Sequence, residues 1–290
     1  MAVVKAQGLR KAYGKTVALD GVDIEVGEGR VLGLIGPNGA GKSTLLESIL
    51  GLIPCEGTLD VLGRSPWRDR DALMREVSFI ADAAVLPRWL RVHQALDYMA
   101  GVHPRFDRAK AERFLDRTTI RRESRVGALS KGMVVQLHLA LVMAVDAKLL
   151  VLDEPTLGLD VIFRKRFYDS LIGDFFDGSR TIIVSTHEID EIQHVLTDVV
   201  FLDRGRIVLD CSMEAFETRF LEVAVGADKL DAARALKPIA ERSLFGRTTL
   251  AFDGIDRARL DALGDVRTAS LSDVFIALAG GLESEKEAAA

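Results

Sequence analysis

Residues 36–44 read Gly36, Pro37, Asn38, Gly39, Ala40, Gly41, Lys42, Ser43 and Thr44. They fit the phosphate-binding pattern G-x-x-x-x-G-K-[S/T] at every defined position. Glycine tolerates the positive φ values that turn successive backbone N–H groups inward around an anion. Lys42 supplies a mobile cation for the β- and γ-phosphates, and the Ser43 hydroxyl is placed to hold Mg²⁺. The flanks agree with this assignment. Arg30 to Ile35 is a short apolar run that predicts a buried strand, and Lys42 to Leu50 predicts a helix that Gly51 can stop. A strand, a glycine loop and a helix in that order aim a helix N-terminus at phosphate.

The rest of the chain alternates strand and helix signals, which predicts an α/β fold with a largely parallel sheet. Val3 to Ala6 and Val22 to Val26 predict strands with a turn near Gly14, and residues 57–63 predict another strand and turn. Val77 to Ile80 is a buried strand, followed by a loop containing Pro87, and Val92 to about Val126 is a charged helical region. Ser130 is an N-cap for a helix reaching about Val145. Lys148 to Leu152 is an apolar strand that ends in Asp153 and Glu154. Leu157 to Asp160 turns the chain into a further helix. Thr181 to Thr186 is a buried strand ending at His187, and Val199 to Leu209 predicts a hairpin. In parallel sheets ligands bind at the carboxyl ends of the strands. The glycine loop, Asp153, Glu154 and His187 all fall at such ends.

That convergence has a definite chemistry. Nucleotide hydrolysis needs Mg²⁺, a positioned water and stabilisation of the γ-phosphate charge. Asp153 is suited to hold the metal through water, Glu154 to orient or activate the attacking water, and His187 to bond the γ-phosphate or that water. Tyr13, just before the Gly14 turn, has two open roles: stacking on a nucleobase, or packing as a strand-face tyrosine.

Composition narrows the partners. The net charge of −5 over 290 residues argues against a nucleic-acid binder relying on overall positive charge. Cys55 and Cys211 lack metal-ligand spacing. There is no signal-peptide pattern. The most apolar run, Met133 to Val145, contains Gln136 and His138 and is shorter than the roughly 20 residues a bilayer requires. A membrane role therefore requires a partner chain.

In order and spacing, the motifs resemble the nucleotide-binding subunit of an ATP-binding-cassette (ABC) transporter over about residues 3–210. Gly36 to Thr44 matches Walker A, and Leu149 to Glu154 matches Walker B with its following glutamate. Leu129-Ser130-Lys131-Gly132-Met133 resembles the signature, Leu159-Asp160 the D-loop, His187 the switch histidine and Tyr13 the adenine-stacking aromatic. The resemblance implies a P-loop NTPase (RecA-like) parallel-sheet core at residues 1–210. It further implies an N-terminal antiparallel β subdomain and a helical signature subdomain at about 91–146. It implies ATP and Mg²⁺ as cofactors, Mg²⁺ held by Ser43 and Asp153, an integral-membrane permease as partner, and a peripheral position on the cytoplasmic face of the membrane. Two such subunits pair head to tail, so that Ser130 and Gly132 of one reach the γ-phosphate on the other, with Asp160 nearby.

The sequence departs from that pattern at three places. Lys131 and Met133 replace a glycine and a glutamine, as in some exporter subunits. Val134-Val135-Gln136 lacks the basic residues usual in this helix. Asp82 stands where the Q-loop glutamine is expected, either contacting Mg²⁺ or staying farther from it.

Residues 211–282 predict a small α+β appendage like that of exporter-type subunits, with strands at Phe220–Val225 and Thr248–Phe252. It has a helix at Asp228–Leu236 and a capped amphipathic helix at Ser270–Leu278. Residues 283–290 read as a disordered tail. The competing assignment is a soluble ABC ATPase acting on ribosomes or DNA, but such proteins carry two cassettes or long heptad insertions, absent here. A GTP switch needs an Asn-Lys guanine motif, and Asn38 is the only Asn.

Overall fold

The computed structural model describes residues 1–80, 86–157, 159, 161–244 and 247–288. The N-terminal alternation of apolar and polar residues becomes a long hairpin, β1 (Ala2–Tyr13) and β2 (Thr16–Gly27), which turns at Gly14 with φ of 61°. Strand β4 (Glu56–Val61) pairs with the other edge of β1, closing the antiparallel sheet β2-β1-β4. Val4, Ala6, Leu9, Leu19, Val22 and Ile24 fill its inner face.

The central sheet contains β3 (Val31–Ile35), β5 (Val77–Ile80), β6 (Leu149–Asp153), β7 (Thr181–Thr186), β8 (Asp198–Asp203) and β9 (Arg206–Ser212). Their order is β5-β6-β7-β3-β8-β9, parallel as far as β8, with β9 returning antiparallel. These strands are apolar on both faces because both faces are covered. Leu32, Leu34, Val151, Ile183, Val200 and Leu202 pack against helix α1 (Lys42–Ile49) and the first sheet. Their alternates, Ile35, Leu150, Leu152, Ile182, Val184 and Phe201, point into a second core with α6 (Val161–Ser170), which runs on into a π-turn at Leu171–Phe175. Each such side chain, fully buried, contributes roughly 1.5–3 kcal/mol. A short helix α2 (Arg70–Leu73) leads into β5, and α7 (Ile189–Ile192) follows β7.

The helical lobe holds α3 (Val92–Val102), α4 (Arg108–Leu115) and α5 (Lys131–Met143) around Leu96, Ala111, Leu115, Leu137 and Leu141. The continuous helical signal from 92 to 126 is thus divided. His103 precedes Pro104, and a residue before proline is pushed to extended backbone; His103 sits at φ −112°, ψ 112°, and α3 ends there. Asp107 caps the next helix by accepting from the Lys110 N–H at 3.0 Å.

The C-terminal region begins with α8 (Met213–Arg219). It continues through β10 (Phe220–Val225), α9 (Leu230–Arg234), β11 (Ala240–Leu244), β12 (Arg247–Asp253), α10 (Arg257–Asp261), β13 (Asp265–Thr268) and α11 (Leu271–Ala288). Its antiparallel sheet has the order β11-β12-β10-β13, the split β-α-β-β-α-β topology. Strands β11 and β13 and helices α8 and α10 are not anticipated by the sequence. β11 reads Ala-Glu-Arg-Ser-Leu and β13 Asp-Val-Arg-Thr, edge strands too polar to show alternation. One sheet face packs on α9 and α10 through Val223, Leu250, Phe252 and Leu260. The other joins the second core of the central sheet, where the Phe275 ring meets Phe201 edge-on at 5.2 Å. Two boundaries differ from expectation. β9 continues through Ser212, past residue 210, and α11 is continuous to Ala288. The stretch expected to be a disordered tail is Glu-Ser-Glu-Lys-Glu-Ala from Glu283 onward, and its Ala, Glu and Lys are strong helix formers.

Candidate functional site

The glycine loop follows β3 at the carboxyl edge of the central sheet. A Cβ at Gly36 would lie 2.2 Å from the Leu202 carbonyl oxygen, and one at Gly41, which has φ of 108°, 2.3 Å from that of Ala18. No other residue fits either position. The Gly205 N–H donates to the Ala40 carbonyl at 2.8 Å, and the Gly205 carbonyl accepts from Asp20 N–H at 2.8 Å. The loop is thus braced by β2 and by the β8–β9 turn. Lys42 folds back into it. Its Nζ donates to the Gly36 carbonyl at 2.6 Å and to that of Pro37 at 3.4 Å, and its side chain is only 6% exposed. Pro37, Asn38, Gly39 and Ser43 face solvent, and Thr44 is half-buried on α1.

Strand β6 delivers two carboxylates to the same place. Glu154 stands at φ 45°, a left-handed conformation unusual outside glycine, which swings its side chain toward the loop. Oε1 of Glu154 lies 3.0 Å from Lys42 Nζ, and Oε2 lies 2.9 Å from Nδ1 of His187. Asp153 Oδ1 accepts from the Ser185 hydroxyl at 2.5 Å, and that hydroxyl accepts the Glu154 N–H at 3.0 Å. One serine therefore holds both acidic residues, since a hydroxyl donates once and accepts as well. Ser185 escapes the sequence reading. The available signal is a polar residue within the buried β7 run, where it is 0% exposed.

A second missed residue is Arg164. Its Nε donates to the Leu159 carbonyl at 2.7 Å, and Nη1 lies 2.9 Å from Glu191 and 3.3 Å from Glu188. Burial opposes its charge, but Glu191 and Glu188 outweigh that and raise its pKa. Behind the same segment, Tyr168 shares a 3.4 Å hydrogen bond with Thr156, and burial chiefly pushes the phenol up to about 12, against that bond.

The remaining candidates are dispersed. Tyr13 is 49% exposed and does not serve as a core tyrosine; the Lys11 ammonium lies 5.3 Å from its ring centroid and donates to the Pro54 carbonyl. Ser130 caps α5 by accepting the Met133 N–H at 3.2 Å. Among the described residues no hydrogen bond or ion pair joins Ser130 or Gly132 to the glycine loop. Asp82 and Asp160 lie outside the described residues. Trp89, in the loop after β5, is 70% exposed.

A parallel sheet with a braced glycine loop after β3, and an acid-tipped strand two places away, defines a P-loop nucleoside triphosphatase. Comparison with known proteins gives the family. The ABC transporter family profile matches residues 19–157. A daunorubicin resistance ATP-binding protein of Streptomyces coeruleorubidus is 30% identical over 99% of this chain and 98% of its own. A Nod factor export ATP-binding protein of Cupriavidus metallidurans is 32% identical over 96% and 98%. Among solved structures, an ATP-binding subunit of an ABC transporter aligns with a TM-score of 0.65 at 24% identity, over 74% of this chain and 91% of that one. The chain belongs to the ATP-binding subunits of ABC transporters: it binds and hydrolyses ATP and powers a membrane transporter.

Proposed function

We propose that the N–H groups of residues 39–43 and the Lys42 ammonium bind the β- and γ-phosphates of ATP. In this reading Gly36 to Thr44 form the cradle, Ser43 and Asp153 hold Mg²⁺, and Glu154 orients and activates the attacking water with His187 as its partner. The observation that carries the proposal is that Glu154 is gripped from both sides, by Lys42 at 3.0 Å and His187 at 2.9 Å. ATP supplies the phosphoanhydride bond that is cleaved. The donor set fits the metal: a hydroxyl and a carboxylate are hard oxygens, and Mg²⁺ is held by one or two carboxylates plus phosphate and water. Among the described residues no cluster of three or more His, Cys, Asp or Glu is set for a metal, so phosphate oxygens are needed to complete the shell. Asp82, in the Q-loop position of the sequence, is a further candidate for that shell.

The site is half of a composite one. The N-terminus of α5 is capped by Ser130, which is exposed, and among the described residues it makes no hydrogen bond to the chain's own glycine loop, in keeping with a role on a second subunit's γ-phosphate. Leu157, Val161 and Ile162 are 56%, 72% and 66% exposed on either side of Asp160, an apolar surface suited to a head-to-tail homodimer.

The partner reading is an integral-membrane permease. A groove of about 800 Å³ between the central sheet and the helical lobe is lined by Met74, Phe79, Leu86, Met99, Val102 and His138. Trp89 and Tyr98 stand exposed nearby in sequence. One amphipathic helix of the permease is the occupant this groove suits. No described helix is long and apolar enough to cross a membrane; the proposed place is peripheral, on the cytoplasmic face. Export is favoured by relatives named for daunorubicin resistance, Nod factor export and lantibiotic transport. A net charge of −5 favours no nucleic-acid partner. The catalytic unit is taken as residues 1–210 with its helical lobe at about 91–146, and residues 211–282 as an accessory unit. The test is the mass of full-length Glu154→Gln in solution with Mg-ATP. A dimer that disperses without nucleotide is expected; a monomer saturated with ATP would sink the composite site.

A further inference from the structure

The hydrolytic centre sits among three segments that approach from different parts of the chain: the glycine loop, residues 153–157 and the segment after β7. Ser185 ties the last two at the strand ends. Beyond the strands the Glu154–His187 bond and Arg164 tie them further. Its guanidinium is 18% exposed and works in two directions. On one edge Nε donates to the Leu159 carbonyl at 2.7 Å, directly before Asp160. On the other, Nη1 is 2.9 Å from Glu191 and 3.3 Å from Glu188, and Glu188 is 3.7 Å from Nε2 of His187. A lysine cannot reproduce this, because an ammonium is a point charge on a flexible stem, whereas guanidinium donors are fixed in one plane.

We infer that Arg164 is a positioning residue that couples the 157–159 segment to the His187–Glu191 segment, so that both hold one geometry around Glu154. Among the described residues the other polar tie between these segments beyond Ser185 is the Glu154–His187 bond at 2.9 Å, which leaves Leu157 and Leu159 to Arg164. Among the described residues Glu191 has no hydrogen bond to Leu157 or Leu159, yet through Arg164 it restrains them. The functional half of this inference rests on the proposed roles of Glu154 and His187; the coupling itself does not.

The test uses the full-length chain without nucleotide. Leu157 N–H donates to the Glu154 carbonyl at 3.1 Å and Leu159 N–H to that of Thr156 at 3.0 Å, so amide exchange at these two positions reports on the segment. Both amides should exchange about threefold faster or more in Arg164→Lys and also in Glu191→Gln, as local opening becomes easier. In steady-state hydrolysis Arg164→Lys should lower kcat about tenfold, the scale of a small misplacement, with KM changed by less than about twofold. A purely structural role would instead lower kcat only in step with the folded fraction. Unchanged exchange at Leu157 and Leu159 in Glu191→Gln would overturn the coupling, even if Arg164→Lys failed to fold. Altered exchange with unaltered kcat in Arg164→Lys would overturn its positioning role. Altered exchange in a chain whose Glu154→Gln variant hydrolyses ATP normally would leave the coupling standing and reject the assignment of Glu154.

Discussion

The Lys42 ammonium and the Glu154 carboxylate are ion-paired at 3.0 Å, with side chains 6% and 12% exposed. At an effective dielectric near 20, two unit charges at that distance attract by roughly 5 kcal/mol before desolvation is counted. In the proposed site a triphosphate binding Lys42 would compete with Glu154 for it, and the exchange would free Glu154 to face water.

Glu154→Gln should therefore do two things at once. Hydrolysis should slow by on the order of 10²-fold or more, the scale for losing one transition-state contributor. ATP affinity should rise, because the competing carboxylate charge is gone. Equilibrium titration with Mg-ATP and single-turnover hydrolysis measure the two effects, and undiminished turnover counts against the role of Glu154.

Tyr13 stands half-exposed on the β1–β2 hairpin, whose Ala18 carbonyl touches Gly41. Tyr13→Ala should weaken ATP binding by about 1–2 kcal/mol, the range for base–aromatic stacking, while Tyr13→Trp should bind as the parent does. Calorimetric titration decides; equal affinity in a folded Tyr13→Ala protein rejects stacking.

Trp89 offers an exposed aromatic anchor, while its neighbours are fastened: the Leu90 carbonyl accepts from Val126 N–H at 2.8 Å, and Arg91 Nη1 donates to the Glu123 carbonyl at 2.6 Å. Trp89→Ala should lower co-purification with the permease by about tenfold or more and leave ATP affinity unchanged, as expected of an interface anchor. Parallel loss of stability and ATP binding would mean that Trp89 supports the fold instead.

Glu76 at the start of β5 is held by Lys148 at 2.6 Å and Arg64 at 2.9 Å. The Lys148 hydrogen bond is the main cause that lowers its pKa, burial opposes it, and the charges of Lys148 and Arg64 add to the lowering. A carboxylate whose folded pKa is depressed adds stability above its unfolded pKa, and that stability is lost as pH falls through the folded value. Glu76→Gln should cost about 1–3 kcal/mol at pH 7. The gap from the parent should narrow below about pH 4, where an ordinary carboxylate protonates. Urea denaturation at both pH values measures it, and a gap independent of pH would reject the ion pair as its source.

The glycine loop, the acid-tipped strand and the strand ending at His187 are readable from local chemistry. Each is a short apolar run whose last residues are polar, and apolar runs report burial without reference to the rest of the chain. The caps at Asp107 and Ser130 are local in the same sense. The edge strands β11 and β13 were invisible because their partners, not their own residues, hold them in a sheet. The 92–126 region looked continuous because helical periodicity on both sides of Pro104 masks a break that one backbone conformation creates.

The sequence by itself determined which residue types stand at the strand ends, and so that the chain binds a nucleoside triphosphate. Only the tertiary structure decided that Ser185 holds Asp153 and Glu154 together, that Lys42 is paired to Glu154, and that Arg164 spans Leu159 and Glu191. Those contacts join residues 5 to 112 positions apart. Hydrogen-bond partners at such separations depend on strand order and on the backbone turn at Glu154, and neither leaves a periodic trace in the chain.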